Sequence, residues 1–163
     1  MKSTDKRASD DPSLRQIQPR PFLWEDVDSN RVAISYDCPS DTLLIHLFGR
    51  HQPSVSVPIA RYLYALVDPE SEQIVGVHVE GFLAQAVKEH PDELAILDHA
   101  ELRGISPIEV RGLQREILGR WEPLPGKTRA VFAPEVSRDK KEAAMLLMEA
   151  ENVRWGTRDM SAA

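Results

Sequence analysis

Residues 36–47, Tyr36-Asp37-Cys38-Pro39-Ser40-Asp41-Thr42-Leu43-Leu44-Ile45-His46-Leu47, run from a turn rich in Asp, Pro and Ser into an alternating apolar segment. Upstream of the turn, Val32, Ile34 and Tyr36 alternate with Ala33, Ser35 and Asp37, the period of two of a half-buried strand. Downstream, Leu43, Ile45 and Leu47 take one face and Leu44, His46 and Phe48 the other. Two such runs separated by a few turn residues predict an antiparallel hairpin. Asp37 and Asp41 flank its turn, where a short carboxylate side chain accepts hydrogen bonds from nearby backbone N–H groups. A structural role in the turn is therefore preferred for both over a pair of catalytic or metal-binding carboxylates. Asp68, which opens the turn Asp68-Pro69-Glu70-Ser71, is given the same role.

Outward from the hairpin, residues 54–59, 62–67 and 73–79 read as three further strands, with Pro58 at an edge or a bulge because proline cannot donate to a ladder. The period then changes to provide cover for one apolar face. Phe82, Leu83, Ala86 and Val87 recur at helical spacing after Gly81, and Asp92 is placed to cap a second helix carrying Leu94, Leu97 and Leu102 as far as Gly104. Ser106-Pro107 opens a third helix with Val110, Leu113, Ile117 and Trp121 on one stripe. Ser137 or Asp139 caps a last one through Glu151, with Ala144, Leu147 and Met148 as its apolar strip. The expected fold is α+β: an antiparallel meander of about five strands between residues 31 and 80, covered by helices. Residues 1–20 are predicted to be a disordered tail, 21–104 the core domain, and 105–163 a helical extension packing on the core or on another subunit. Phe22, Leu23, Trp24 and Val27 are expected to dock as a short strand or clasp.

The chain's 163 residues, 28% charged and 42% hydrophobic, have the composition of a globular domain. Apolar runs fall far short of the ~20 residues that span a bilayer. Asp5, Asp10 and Asp11 interrupt the N-terminal stretch where a signal peptide would be apolar, so a cytoplasmic location without a membrane partner is expected. Cys38 is the only cysteine, which excludes an intrachain disulfide and a zinc ribbon. Residues 32–102 contain only Arg50, Arg61 and Lys88 against eleven acidic residues, a poor surface for displacing counterions from phosphates. Arg111, Arg115 and Arg120 form a basic stripe on the third helix; nucleic acid binding through it ranks below pairing with the acidic region or simple solvation.

The segment from Ile34 to about Leu83 resembles a small bacterial family, domain of unknown function 2283. The motif Y-D-x-x-x-D-x-L-x-I-x-L reads here as Tyr36 to Leu47, and a closing I-V-G-I-E-like strand reads as Gln73-Ile74-Val75-Gly76-Val77-His78-Val79-Glu80. The resemblance implies a small antiparallel sheet with an attached helix and brings no established activity. Some relatives look like companions of small toxin-like proteins, so the resemblance motivates the expectation of a protein partner.

His46 and His78 fall outside that pattern. By alternation they leave the face of Ile45 and Val77 and share the other side with Glu80, and two imidazoles with a carboxylate are a possible metal set. His90, His99 and Glu101 lie near helix ends, where histidine commonly meets terminal carbonyls. Gly126-Lys127-Thr128 is not a phosphate loop, since Trp121 stands where the leading glycine is needed. Met145 to Met148 reads as helix core or an oligomer contact. No catalytic set and no cofactor motif assembles. The leading expectation is a non-enzymatic interaction or regulatory module that self-associates or binds a small protein. A metal or small-ligand binder, or an enzyme, built on His46, His78 and Glu80 comes second, and nucleic acid binding third.

Overall fold

A computed structural model describes residues 17–120 and 139–157 of the chain. The strands are β1 (Phe22–Leu23), β2 (Ala33–Asp37), β3 (Thr42–His46), β4 (Val55–Ala60), β5 (Leu63–Val67), β6 (Ile74–Glu80), β7 (Glu101–Arg103) and β8 (Gly156–Thr157). The helices are α1 (Val87–Glu89), α2 (Pro107–Arg120) and α3 (Lys140–Ala150). A π-helical turn, Phe82–Ala86, leads into α1, and a 3-10 helix, Pro91–His99, follows it.

The hairpin read from the sequence is present, with Tyr36 opposite Leu43 and Ile34 opposite Ile45. So is the α+β architecture, built on an open mixed sheet of six strands. The strand order corrects the expected meander. It runs β4-β5-β6-β3-β2-β7, so β6 lies between β5 and β3, and β7 adds to β2 in parallel. Leu102, expected on a helix, is the middle residue of β7. The helix expected from Asp92 to Gly104 is instead the 3-10 helix, in which six consecutive residues, Asp92 to Leu97, are buried. Burial on every side removes the one-faced pattern that an α-helix on a surface would show. Pro58 sits on edge strand β4 beside a register shift, where its missing donor is tolerated.

One sheet face is apolar and covered. Ile34, Ile45, Val77 and Ala65 form one cross-strand row and Tyr36, Leu43, Val79 and Leu63 the next, all buried. Phe82 lies over this face with its ring 5.7 Å from that of Tyr36. The opposite face carries Leu44, His46, Tyr64 and His78, all half-buried. Gly76, the partner of His46 in β6, lies so close to β3 that an added Cβ would collide with the Ile45 carbonyl oxygen.

The last helix belongs to the same core. Ala143, Ala144, Leu147 and Met148 are buried in one cluster with the sheet residues, and α3 lies against the 3-10 helix and residues 29–31. Asp139 caps it by accepting the Glu142 N–H at 2.7 Å, one of the two caps expected. Ser137 lies outside the described residues. Beyond α3, Gly156–Thr157 pairs in parallel with Phe22–Leu23, which makes the expected clasp. Among the described residues no helix is long and apolar enough to cross a membrane.

Candidate metal centre

The turn aspartates are placed as follows. Asp37 accepts the Ser40 N–H at 3.2 Å and its hydroxyl at 2.6 Å, and the Ser40 hydrogen bond holds the Asp37 carboxyl below its ordinary pKa. Asp68 accepts the Glu70 N–H at 2.8 Å. Asp41 reaches further, accepting the N–H groups of Leu83 and Ala84 at 2.8 and 3.0 Å.

His46, His78 and Glu80 lie on the same sheet face, as alternation requires, but their side chains turn to different partners. His78 bonds Ser56 through Nδ1 at 2.9 Å and stacks on Tyr64. The Tyr64 hydroxyl donates to Glu80 at 3.0 Å. His46 lines a groove of about 280 Å³ with Arg50, Asp37, Glu101 and Arg103. Burial lowers the pKa of both histidines, more than Glu80 raises that of His78. Their ligand atoms do not gather with Glu80 into one metal-holding group among the described residues; His90, Glu93 and Glu151 do.

That second group is built from three separate pieces of chain. His90 ends α1, its N–H donating to the Ala86 carbonyl at 2.8 Å. Its own carbonyl accepts the Glu93 N–H at 2.9 Å, starting the 3-10 helix. With three residues per turn, positions i and i+3 eclipse, so the His90 and Glu93 side chains leave on one side. Glu151 is the residue after α3, where its N–H still donates to the Leu147 carbonyl at 3.0 Å. Tyr62, just before β5, donates its hydroxyl to Glu151 Oε1 at 2.8 Å. His90 Nε2 stands 3.6 Å from the same oxygen. The ligand atoms of His90, Glu93 and Glu151 all lie within 4.8 Å of one another.

The electrostatics of the cluster are unusual. Glu93 is 0% exposed, and the Glu151 side chain is 4% exposed. Both Glu93 oxygens and Glu151 Oε2 are buried without an N–H or O–H donor among the described residues. Two carboxyl groups this close cannot both be ionised in a dry site. Burial first, then the adjacent Glu151 carboxyl, push the Glu93 pKa far above the carboxylate range. Burial and the Glu151 hydrogen bond likewise raise the Tyr62 hydroxyl. Either a proton or a cation must therefore lie between the two carboxyls. A cleft of about 210 Å³, lined by Arg61, Tyr62, His90, Glu151 and Asn152, opens the cluster to solvent at His90, whose side chain is 34% exposed.

The donor set fits a first-row divalent ion. One imidazole and two carboxylates are N/O ligands of the kind that hold zinc, manganese or iron. Two ligands about 2.1 Å from an ion at a tetrahedral angle stand roughly 3.4 Å apart, close to the His90–Glu151 separation of 3.6 Å. Sequence reading missed this group. His90 and Glu93 carried a weak signal, an H-x-x-E spacing across a proline turn, whereas Glu151 is brought in only by the packing of α3. The basic stripe is present in part, Arg111 and Arg115 being exposed on α2. The side chain of Arg120 and residues 121–138, with Gly126-Lys127-Thr128, lie outside the described residues.

Comparison of the chain with protein-family models, with curated proteins and with solved structures finds no match.

Proposed function

We propose that this protein is a metal-binding module that holds a divalent transition-metal ion through His90, Glu93 and Glu151, with Tyr62 orienting Glu151. One observation carries the reading: a fully buried glutamate stands against a second buried carboxylate and an imidazole at the end of a solvent cleft. Protein interiors do not keep two such carboxyls adjacent without a compensating positive charge or shared proton. A cation supplies that charge, and the Tyr62 hydroxyl plays the part of the outer hydrogen bond that fixes a ligating carboxylate. The reading retains a binding role rather than a catalytic one, and it moves the metal set from His46, His78 and Glu80 to the junction of the 3-10 helix with α3.

Isothermal calorimetry with zinc and manganese chlorides tests it. The wild-type chain should bind one ion. Glu93→Gln should keep the fold, since its carboxamide can donate to Glu151, and should weaken binding at least a hundredfold. Equal zinc affinity in wild type and Glu93→Gln would exclude the site.

A further inference from the structure

We infer that occupancy of the His90–Glu93–Glu151 centre controls whether the α3 segment stays docked on the sheet domain. This inference rests on the metal-binding reading and names the regulation of that same site.

The ligands are divided unequally between two parts of the fold. His90 and Glu93 belong to one tight turn, held by the bond between the His90 carbonyl and the Glu93 N–H. Glu151 comes from the end of α3, and Tyr62 hydrogen-bonds to it across 89 positions of sequence. Apolar burial holds the rest of α3: Ala143 and Ala144 are small, so Leu147 and Met148 carry most of the buried area. At its C-terminal end the helix brings Glu151 against Glu93, whose two carboxyl oxygens are buried with no N–H or O–H donor on them among the described residues. Tyr62 and His90 contact Glu151 and Glu93 stands against it, while Glu89, paired with the Arg61 guanidinium, lines the same cleft.

The same contact therefore differs between the two states. Without a cation, the Tyr62 hydroxyl bond to Glu151 and the apolar packing of Leu147 and Met148 tie this end of α3 to the domain. With a cation between Glu93 and Glu151, both carboxylates attract it, and the ion bridges α3 to the Pro91 turn. Any ligand that binds only the docked form lowers the population of the released form by a factor of 1 + [L]/Kd. At zinc a hundred times its Kd, release of α3 should become about a hundredfold rarer.

Hydrogen exchange on the full chain, with zinc or with EDTA, decides the matter. In EDTA the amides of α3 (Lys140–Ala150) should exchange faster than those of β6 (Ile74–Glu80), and zinc should slow α3 by ten- to a hundredfold. Glu93→Gln should remain folded and show no zinc response in α3. Three results would overturn the inference. If calorimetry finds zinc bound while α3 exchange changes less than twofold, the centre exists but does not control the helix. If α3 and β6 exchange equally in EDTA, α3 leaves only by global unfolding. If zinc does not bind at all, the metal-binding reading and this inference fall together.

Discussion

The Tyr36 hydroxyl donates to Asp41 Oδ1 at 2.6 Å, and that same oxygen accepts the Leu83 N–H at 2.8 Å. Asp41 thereby joins the hairpin turn to the start of the helical cover. Its carbonyl takes the Phe82 N–H at 3.0 Å and its second carboxylate oxygen the Ala84 N–H at 3.0 Å. Three of the donors that a helix leaves unpaired at its N-terminus are therefore satisfied by one residue from a distant turn. Burial and the Asp41 hydrogen bond both raise the Tyr36 pKa, which keeps the phenol a donor. Asp41 does this from a left-handed backbone, φ 55°, that Asp and Asn tolerate better than most residues.

Asp41→Ala should lower stability by about 2–4 kcal/mol, combining a lost cap with a buried phenol left unpaired. Asp41→Asn, which keeps the backbone preference and an acceptor for Tyr36, should cost less than half as much. Urea denaturation of the two variants measures the difference.

Glu93 makes metal-free stability depend on pH with a definite sign. Its folded pKa is raised above the ordinary value of 4.5, so above pH 4.5 the folded protein holds a proton that the unfolded chain has released. Its contribution is fully present below that value and is lost as pH rises toward the raised folded value, with a limiting slope of about 1.4 kcal/mol per pH unit. Thermal melts in EDTA from pH 5 to 8 should show this decline in wild type and a flatter profile in Glu93→Gln. Zinc affinity should run the opposite way, strengthening with pH as the competing proton leaves.

Replacing His46 and His78 together by Ala should leave zinc affinity within twofold of wild type, since neither contributes a ligand atom to the buried cluster. A tenfold loss in calorimetry would return the metal site to the sheet face.

Leu147 is fully buried in the shared core, and Leu147→Ala should destabilise the protein by about 2–5 kcal/mol through lost transfer energy and a residual cavity. Exposed Ile108, on the first turn of α2, should tolerate the same change within about 0.5 kcal/mol. Denaturant midpoints of the two variants provide the comparison.

The sheet was legible where local rules decide it. Alternation through Ile34, Tyr36, Leu43 and Ile45 assigns their face without knowledge of a partner strand, and the Asp68 and Asp37 turns are set within four residues. What stayed hidden depends on contacts distant in sequence. Strand β7 is only three residues long and offers no period to detect, and β6 reaches its place between β5 and β3 through tertiary pairing. Glu93 drew no assignment from the sequence, because glutamates are seldom buried. Only the approach of α3 shows it as half of a carboxyl pair. His46 and His78 showed the reverse: the pattern put them on one face, while His78 turns to Ser56 and Tyr64 and His46 lines the groove with Arg50, which alternation does not see.

The clasp between β1 and β8 also sets how the fold resists tension. Phe22–Leu23 and Gly156–Thr157 run parallel and lie near opposite ends of the chain. A force pulling the chain outward on both sides of the clasp drags these strands in opposite directions along their length. Their hydrogen bonds are then loaded together in shear rather than opened one at a time. The Arg20–Gln73 bridge just ahead of β1 and the two-residue ladder behind it, with Phe22 and Trp24 ring to ring at 4.8 Å, would share that load.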